Sequence, residues 1–228
     1  MQIEGAVALV TGANRGIGKA FADALVEYGA AKVYAGARDP RTISDPRLTP
    51  LRLDVTDAEQ VAAAAEQASD VTIVVNNAGV GGDTQLFEGS FDGARYELEV
   101  NYLGTWAVSR AFAPVLARNG GGALVNMLSV ASWASMALAP GYAASKSAQW
   151  SLTNALRAAL REQGTLVAGV HVGFVDTDLT ERFDAPKIPA AVVAAETMRG
   201  LLADAEEILV DDFTRAVKAG LAGAPAVI

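Results

Sequence analysis

Cysteine is absent from the 228-residue sequence, and histidine occurs only once, at His171. The lack of cysteine excludes disulfides, thiolate zinc sites and a cysteine nucleophile. A single histidine excludes a multi-histidine metal site and disfavours a Ser-His-Asp triad. We therefore expect no metal site in this protein.

Long apolar segments are also missing. Runs such as 71–75 have the length of a strand, far from the roughly 18–20 residues that a membrane span needs. The first five residues, MQIEG, lack a basic segment leading into an apolar one, so we expect no secretory signal. These features predict a soluble, cytoplasmic protein without a membrane partner.

Basic residues are too few to balance the acidic ones. The sequence has 18 Lys and Arg against 26 Asp and Glu, a net charge of −8. Binding to nucleic acid needs a concentrated basic surface, so this balance disfavours a nucleic-acid partner. The hydrophobic fraction of 51% argues against disorder, and the length suits one domain over residues 1–228.

Short β-branched runs alternate with longer Ala- and Leu-rich stretches along the whole chain. We predict strands at 6–10, 31–35, 48–53, 72–75, 122–126, 167–172 and 207–210. We predict helices at 16–28, 58–68, 91–119, 141–163 and 190–203, and an apolar tail at 219–228. Continuous apolar strands alternating with helices predict a parallel sheet covered on both faces. The expected fold is α/β, Rossmann-type and doubly wound, with seven mostly parallel strands.

A glycine-rich turn joins the first predicted strand to the first helix. Its spacing, G-x-x-x-G-x-G, is a variant of the G-x-G-x-x-G fingerprint. Glycines permit close approach of the backbone, and a helix N-terminus presents N–H groups to a pyrophosphate. A plain structural turn is the alternative. The predicted dinucleotide-binding residues here are Thr11, Gly12, Asn14, Arg15, Gly16, Ile17 and Gly18.

The end of the second strand indicates which nicotinamide cofactor binds. A carboxylate at this point binds the ribose 2′-hydroxyl and repels a 2′-phosphate. The sequence has Arg38 here, and both Arg38 and Arg15 can pair with a 2′-phosphate. NADP(H) is therefore favoured over NAD(H), although Asp39 could reverse the preference and either arginine could be a solvated surface charge.

Two more segments follow strand ends, where ligands bind in open α/β sheets. Asp54 and Val55 follow the third strand, and the Asp54 carboxylate can accept from an adenine amino group or cap the next helix. Asn77, Ala78 and Gly79 follow the fourth strand. The small residues Ala78 and Gly79 let a backbone lie flat against a cofactor, and an ordinary turn is the alternative.

A phenol and an ammonium group share one helix face, because Tyr142 and Lys146 are four residues apart. A nearby positive charge lowers the pKa of a tyrosine, so that it can exchange protons near neutrality. Ser129 follows the fifth strand, where its hydroxyl can bind a substrate oxygen. Asn101 lies inside an apolar helix, which it can bend or break. The alternatives are that Asn101 is a helix cap or a buried, satisfied amide.

Together these motifs resemble those of the short-chain dehydrogenase/reductase family, in its compact single-domain branch. The similarity extends from Thr11 to Thr177 and covers most of the chain. It includes the glycine-rich turn, Asp54, Asn76-Asn77-Ala78-Gly79, Asn101, Ser129, Tyr142-x-x-x-Lys146 and Gly173-x-Val175-x-Thr177. The resemblance implies an oxidoreductase that transfers a hydride between NADP(H) and a carbonyl or alcohol substrate.

The resemblance also implies a role for each catalytic residue. Tyr142 would be the acid in carbonyl reduction and the base in alcohol oxidation. Lys146 would lower the pKa of Tyr142 and hold the nicotinamide ribose. Ser129 would orient the substrate oxygen, and Asn101 would keep a water in a proton relay behind Lys146.

The last motif follows the sixth strand. Val175 and Thr177 would contact the nicotinamide amide and a nearby phosphate, and Gly173 belongs to the same cofactor site. The family commonly has a proline before this glycine, where this sequence has Val172, which puts the stiffness of the turn in doubt. Because the tyrosine already carries the proton, we interpret His171 as a structural or pocket-wall residue.

In this family the substrate pocket lies between the segment after the serine and the loop after the sixth strand. An apolar pocket suits a small hydrophobic or aromatic ketone or aldehyde. Half of the predicted pocket residues could instead belong to the protein core. Alternatives are a reductase of carrier-bound 3-oxoacyl groups and a non-catalytic NADP(H)-binding sensor. Relatives associate through their long helices, so we expect a homodimer or homotetramer. The pocket candidates are Val130, Trp133, Met136, Leu138, Phe174, Leu179, Phe183 and Ile188, with the cations Arg182 and Lys187 nearby.

Overall fold

Seven parallel strands form one sheet in the computed structural model, which describes residues 1–82 and 84–223. Their order is β3-β2-β1-β4-β5-β6-β7, and every neighbouring pair is parallel. The predicted α/β fold is confirmed, and the sheet is parallel throughout. The strands are β1 Val7–Thr11, β2 Lys32–Ala37, β3 Thr49–Arg52, β4 Ile73–Asn76, β5 Ala123–Met127, β6 Leu166–His171 and β7 Glu207–Leu209.

Helices cover both faces of the sheet. Phe21 of α1 and Met198 of α6 belong to the core on one face, and Val108 and Phe112 of α4 belong to the core on the other. The helices are α1 Gly16–Glu27, α2 Ala58–Gln67, α3 Asp92–Leu98, α4 Thr105–Arg118, α5 Pro140–Ala159, α6 Ala190–Leu202 and α7 Asp212–Gly220.

The central strands are apolar at every position because both of their faces are covered. In β1, Ala8 and Val10 pack into one core and Leu9 packs into the other, since successive side chains of a strand point to opposite faces. All three side chains are buried. This explains why the strands appear in the sequence as continuous apolar runs instead of alternating ones.

The strand order reverses between β1 and β4, and this reversal positions the site. The chain runs outwards from β1 to β3 and then returns to place β4 on the other side of β1. In open α/β sheets, ligands bind in the crevice at such a reversal, beyond the carboxyl ends of the strands. Here the loops that follow β1 and β4 are the glycine-rich turn and the segment that begins at Asn77.

The predicted helix at 91–119 is interrupted at Asn101, as its polar side chain suggested. A π-helical segment, Glu99–Gly104, separates α3 from α4. The Thr105 hydroxyl donates to the carbonyl of Asn101 at 2.8 Å, inside this wider turn. Single π turns within α-helices are often found at functional sites.

Two other predictions about helices need correction. The predicted helix at 141–163 ends at Ala159, and the chain then turns at Gly164, whose φ of +75° suits glycine. The predicted tail begins inside α7, a helix that we did not predict, while 224–228 lie outside the described residues. In the described part of the chain, no helix is both long and apolar enough to cross a membrane. A cytoplasmic location stays a prediction.

Candidate active site

A cleft of about 790 Å³ opens at the carboxyl ends of the strands. Two of the predicted site residues, Thr11 and Asn101, are buried beneath it, at 1% and 0% exposure. The others line the cleft together: Gly12, Asn14, Arg15, Gly16, Ile17, Gly18, Arg38, Asp54, Val55, Asn77, Ala78, Gly79, Ser129, Tyr142, Lys146, Gly173, Val175 and Thr177.

The glycines are required where the two loops meet. A Cβ on Gly18 would lie 2.1 Å from the carbonyl oxygen of Gly12. Gly12 itself has a φ of +65°, and a Cβ there would lie 3.1 Å from the Cα of Ala78. The N-terminus of α1 therefore faces a surface formed by backbone atoms of the two loops. Its first N–H groups have no partners within the helix. This arrangement fits the pyrophosphate of a dinucleotide.

Thr11 connects the two loops that form this surface. Its hydroxyl oxygen accepts hydrogen bonds from the backbone N–H groups of Asn77 at 3.0 Å and Ala78 at 2.9 Å. The Asn77 amide donates in return to the Thr11 carbonyl at 2.9 Å. Thr11 and the Asn77 side chain thus join the ends of β1 and β4.

Asp54 does not cap the following helix. The cap of α2 is Asp57, whose carboxylate accepts from the N–H groups of Glu59 and Gln60. Asp54 makes a local turn, in which one carboxylate oxygen accepts from both the N–H and the hydroxyl of Thr56. The capping alternative is therefore wrong, and Asp54 stays at the cleft wall.

The arginines at the nucleotide end occupy different environments. Arg38 is exposed and lines the cleft. Arg15 pairs across the cleft with Asp178, at 2.6 Å between its Nη1 and the carboxylate. Asp39, which could have favoured NAD(H), is bound by Arg41, and this hydrogen-bonded guanidinium lowers the pKa of Asp39. Arg41 was not among the predicted residues, although its position two residues after Asp39 is a sequence signal that could have indicated it.

Tyr142 and Ser129 meet at the other end of the cleft. Burial raises the pKa of Tyr142, the nearby Glu97 carboxylate adds to this rise, and a hydrogen bond with Ser129 opposes it. The predicted lowering of the Tyr142 pKa is thus reversed in the protein alone. The reason is that burial of the phenol disfavours its charged form.

Lys146 is buried at 4% exposure. Its Nζ donates to the carbonyl of Met127 and to Oε1 of Gln149, both at 2.8 Å, and lies 5.8 Å from the centroid of the Tyr142 ring. Burial lowers the pKa of Lys146 to about 7. Its charge is therefore balanced between the two protonation states near neutrality.

The Asn101 side chain is a satisfied buried amide. It accepts from the N–H of Val80 and donates to the carbonyl of Val80, both at 2.8 Å, and it donates to the Ser145 hydroxyl at 2.9 Å. Asn101 thereby joins the loop after β4 to the helix that carries Tyr142 and Lys146. Its predicted water in a proton relay remains a prediction.

Glu97 is a buried carboxylate that the sequence analysis missed. At 1% exposure, it accepts from the N–H of Gly82 at 2.6 Å and from the Thr84 hydroxyl at 3.0 Å. A Cβ on Gly141 would lie 2.2 Å from its Oε2, so the carboxylate lies against the first turn of α5. Its position four residues before Asn101, on the same helix face, is a sequence signal that could have indicated it.

His171 has a structural environment, as interpreted from the sequence. Its ring stacks on Trp133 with 3.8 Å between centroids, and its Nδ1 lies 3.3 Å from the carbonyl oxygen of Ser129. Burial lowers the pKa of His171 to about 3. A neutral imidazole therefore supports the segment that carries Ser129.

The turn that lacks the family proline is held by α7. The Asp211 carboxylate accepts from the N–H of Gly173 at 2.8 Å and also from the N–H of Thr214, at the start of α7. A Cβ on Gly173 would lie 2.9 Å from the Phe213 ring. Asp211 and Phe213 thus restrain the turn after Val172.

An apolar compartment of about 50 Å³ adjoins Ser129 and Tyr142. Five predicted apolar residues line it, as does Arg182: Val130, Met136, Phe174, Leu179 and Phe183. Trp133 packs on His171, Leu138 is exposed, and Ile188 pairs with Val175 in a short bridge, so these three lie elsewhere.

Relatives and solved structures agree with this geometry. Over 217 residues, the chain is 31% identical to a 3-oxoacyl-(acyl-carrier-protein) reductase of Vibrio cholerae, covering 91% of this chain and 88% of the relative. It is 33% identical over 222 residues to 1-deoxy-11-beta-hydroxypentalenate dehydrogenase of Streptomyces exfoliatus, with coverages of 90% and 81%.

Two solved structures carry nicotinamide cofactors. A short chain dehydrogenase of Burkholderia cenocepacia in complex with NADP superposes with a TM-score of 0.94 at 39% identity, covering 98% of this chain and 95% of that one. A short chain dehydrogenase/reductase of Burkholderia phymatum in complex with NAD superposes with a TM-score of 0.88 at 28% identity, with coverages of 99% and 98%. The family model described as short chain dehydrogenase matches residues 6–187. The chain is an oxidoreductase that belongs to the short-chain dehydrogenase/reductase family.

Proposed function

We propose that the protein is an NADPH-dependent carbonyl reductase of small hydrophobic ketones or aldehydes. One observation carries the proposal: Ser129, Tyr142 and Lys146 line the same cleft as the glycine-rich turn, next to an apolar compartment. A site that only bound a dinucleotide would not need a hydroxyl, a phenol and a buried ammonium group at one end. The combination therefore supports catalysis over the sensor alternative.

The proposed reaction adds two electrons and two hydrogens to a carbonyl group. When bound, the cofactor supplies one hydrogen as a hydride, with both electrons, and leaves as the oxidised form. Tyr142 donates the proton to the carbonyl oxygen, and its raised pKa keeps the phenol protonated at neutral pH, as an acid requires. The Ser129 hydroxyl orients that oxygen, and the Lys146 ammonium group provides positive charge beside the phenol.

The preference for NADP(H) is part of the proposal. It is supported by Arg38 at the cleft wall and by Arg41, which neutralises the Asp39 carboxylate. Because Arg15 pairs with Asp178, we assign the 2′-phosphate to Arg38 and not to Arg15. The relative of known structure that holds NADP is 39% identical, and the one that holds NAD is 28% identical.

The size of the compartment supports a small substrate. A volume of 50 Å³ holds roughly four water molecules, at about 10–15 Å³ each. Its walls are mostly apolar, so a short aliphatic or aromatic group next to the carbonyl fits best. We infer that substrates with a charged group at the reacting carbon are poor ones.

The test is NADPH consumption with a panel of small aliphatic and aromatic ketones and aldehydes, with NADH in parallel. We expect turnover with several members of the panel and a higher kcat/KM for NADPH. Tight binding of NADPH without turnover of any member would contradict the small-substrate proposal.

Reduction of carrier-bound 3-oxoacyl groups is the second candidate. It is favoured by the 31% identity to the 3-oxoacyl-(acyl-carrier-protein) reductase of Vibrio cholerae. The net charge of −8 disfavours docking of an acidic carrier. The same 3-oxoacyl group offered on the carrier and as a short thioester separates the two: a large preference for the carrier form would support this candidate.

Association through the long helices is also a proposal. Trp106 is 45% exposed on α4, and Leu103 is 42% exposed just before it. Exposed apolar residues on a helix face are typical of subunit contacts. Size-exclusion chromatography with light scattering tests the proposed homodimer or homotetramer, and a monomer at micromolar concentration would contradict it.

A further inference from the structure

Gln149 touches the catalytic lysine from within the core. It lies three residues after Lys146 on α5 and is 0% exposed. Its Oε1 accepts a hydrogen bond from Lys146 Nζ at 2.8 Å. The second acceptor of this ammonium group is the carbonyl of Met127, also at 2.8 Å. Among the residues that the structure describes, the Gln149 side chain thus supplies one of the two acceptors bonded to the Lys146 ammonium group.

The orientation of the Gln149 amide is determined by its other neighbour. Its Nε2 donates to the Thr105 hydroxyl oxygen at 2.9 Å, and the single hydroxyl proton of Thr105 is donated to the carbonyl of Asn101 at 2.8 Å. Thr105 can therefore only accept from Gln149. The amide nitrogen must face Thr105, so the amide oxygen must face Lys146.

The Gln149 amide differs in its contacts from the titratable groups around Lys146. Three titratable groups of the described chain act nearby: Tyr142 on α5, His171 on β6 and Glu97 on α3. His171 is neutral at working pH, because burial lowers its pKa to about 3. Glu97 bonds to the Gly82 loop and acts on Tyr142. The Gln149 oxygen, in contrast, is bonded directly to the ammonium group.

We propose that Gln149 is a positioning residue of the reductase, whose amide oxygen holds Lys146 in its charged form beside Tyr142. This role rests on the proposed function for its catalytic meaning, but the contact itself can be tested without any substrate. A buried ammonium group is stabilised by each oxygen that it bonds. Losing this oxygen makes the neutral amine more favourable, and the phenol then loses the positive charge at its side.

The experiment is a pH titration of Lys146 by NMR in the full-length protein with ¹³C-labelled lysine. The sequence contains only five lysines, so the Lys146 signal can be identified by its loss in Lys146→Arg. In Gln149→Met, which keeps the length and removes the acceptor, we expect the Lys146 midpoint to fall by about one unit. In Gln149→Glu, which places a carboxylate there, we expect it to rise.

Thr105→Val provides an independent variant that leaves Gln149 in place. Without the Thr105 oxygen, the amide nitrogen loses its acceptor and the amide oxygen is held less firmly against Lys146, so we expect a smaller fall of the Lys146 midpoint. In the double variant with Gln149→Met, we expect no further fall, because both changes act through one chain of hydrogen bonds. A packing defect alone would not shift the midpoint in opposite directions in the Met and Glu variants.

An unchanged Lys146 midpoint in folded Gln149→Met overturns the proposal. If that variant does not fold, a Lys146 midpoint that fails to rise in Gln149→Glu overturns it instead. The outcome is separate from that of the proposed function, since the titration needs no turnover. For a carbonyl compound that is reduced, the pH profile of kcat/KM is expected to shift with the same sign as the Lys146 midpoint.

Discussion

The guanidinium of Arg41 binds both carboxylate oxygens of Asp39, with its Nε and Nη2 each 2.9 Å from one oxygen. This pair lies just after β2, where a free carboxylate would hold the ribose 2′-hydroxyl and repel a 2′-phosphate. The bound guanidinium lowers the pKa of Asp39 and neutralises its charge. An acid next to Arg38 is therefore compatible with NADP(H).

Arg41→Ala is expected to weaken the preference for NADPH. The substitution frees the Asp39 carboxylate and removes a cation, so the ratio of kcat/KM for NADPH over NADH should fall about threefold to fivefold. The matched control is Arg47→Ala, because Arg47 binds Asp45 two residues before it in the same way. Equal ratios in the two variants would mean that Arg41 has no role in cofactor choice.

Arg38→Asp is expected to have a larger effect on the same ratio. It removes the proposed partner of the 2′-phosphate and adds repulsion, so the preference for NADPH should fall about tenfold or more. Arg15→Ala should leave the ratio close to that of the wild type, because Arg15 pairs with Asp178. If the Arg15 variant changes the ratio more than the Arg38 variant, the assignment is reversed.

Tyr142→Phe should abolish most turnover while NADPH still binds. The phenyl ring keeps the packing and loses the proton donor, which typically costs a factor of about 10²–10⁴ in rate. Fluorescence titration with NADPH measures binding, and single-turnover kinetics measures the chemical step. Tyr102→Phe, which changes a tyrosine whose ring makes a tilted contact with that of Trp106, serves as the control. Substantial reduction by Tyr142→Phe would refute the acid role.

His171 is expected to make the protein less stable in mild acid. Its pKa is about 3 in the folded protein and 6.5 in the unfolded chain, so between these values the unfolded state binds one more proton. The contribution of His171 to the free energy of unfolding is therefore fully present above about pH 6.5 and decreases as the pH falls. The expected loss from this group is about 1.5 kcal/mol between pH 6.5 and 5.

Urea unfolding of wild type and His171→Gln at several pH values measures this term. The variant has no histidine at all, so the difference between the two slopes isolates His171. We expect the variant to have a flatter dependence of unfolding free energy on pH in this range. Parallel curves would show that His171 binds the same number of protons in the folded and the unfolded state, which would contradict its lowered pKa.

Asp211→Ala should loosen the turn at Gly173. The variant loses the acceptor for the Gly173 N–H and the cap of α7, which should cost about 1 kcal/mol of stability and raise the KM for NADPH severalfold. Asp212→Ala is the matched control, since Asp212 pairs on the surface with Arg215. A normal KM in Asp211→Ala would mean that the turn is stiff without this contact.

Local signals accounted for much of the fold and site in advance. Buried strands such as β4 are visible as apolar runs, because both of their faces are covered. The glycine-rich turn is visible because only glycine tolerates the close contact of Gly18 with Gly12. Helix α7 was missed because it is short, and its place depends on contacts such as that of Lys218 with the Trp133 ring.

The sequence by itself determined the fold class and the cofactor turn, since each depends on neighbours in the chain, and its motifs indicated the catalytic residues through their resemblance to a known family. The tertiary structure alone decided which charges are paired and which are buried. Arg15 pairs with Asp178, Lys146 bonds the carbonyl of Met127, and burial raises the pKa of Tyr142 against the expectation from spacing. Removal from water and the choice of partner depend on residues that are distant in the chain and adjacent only once it has folded.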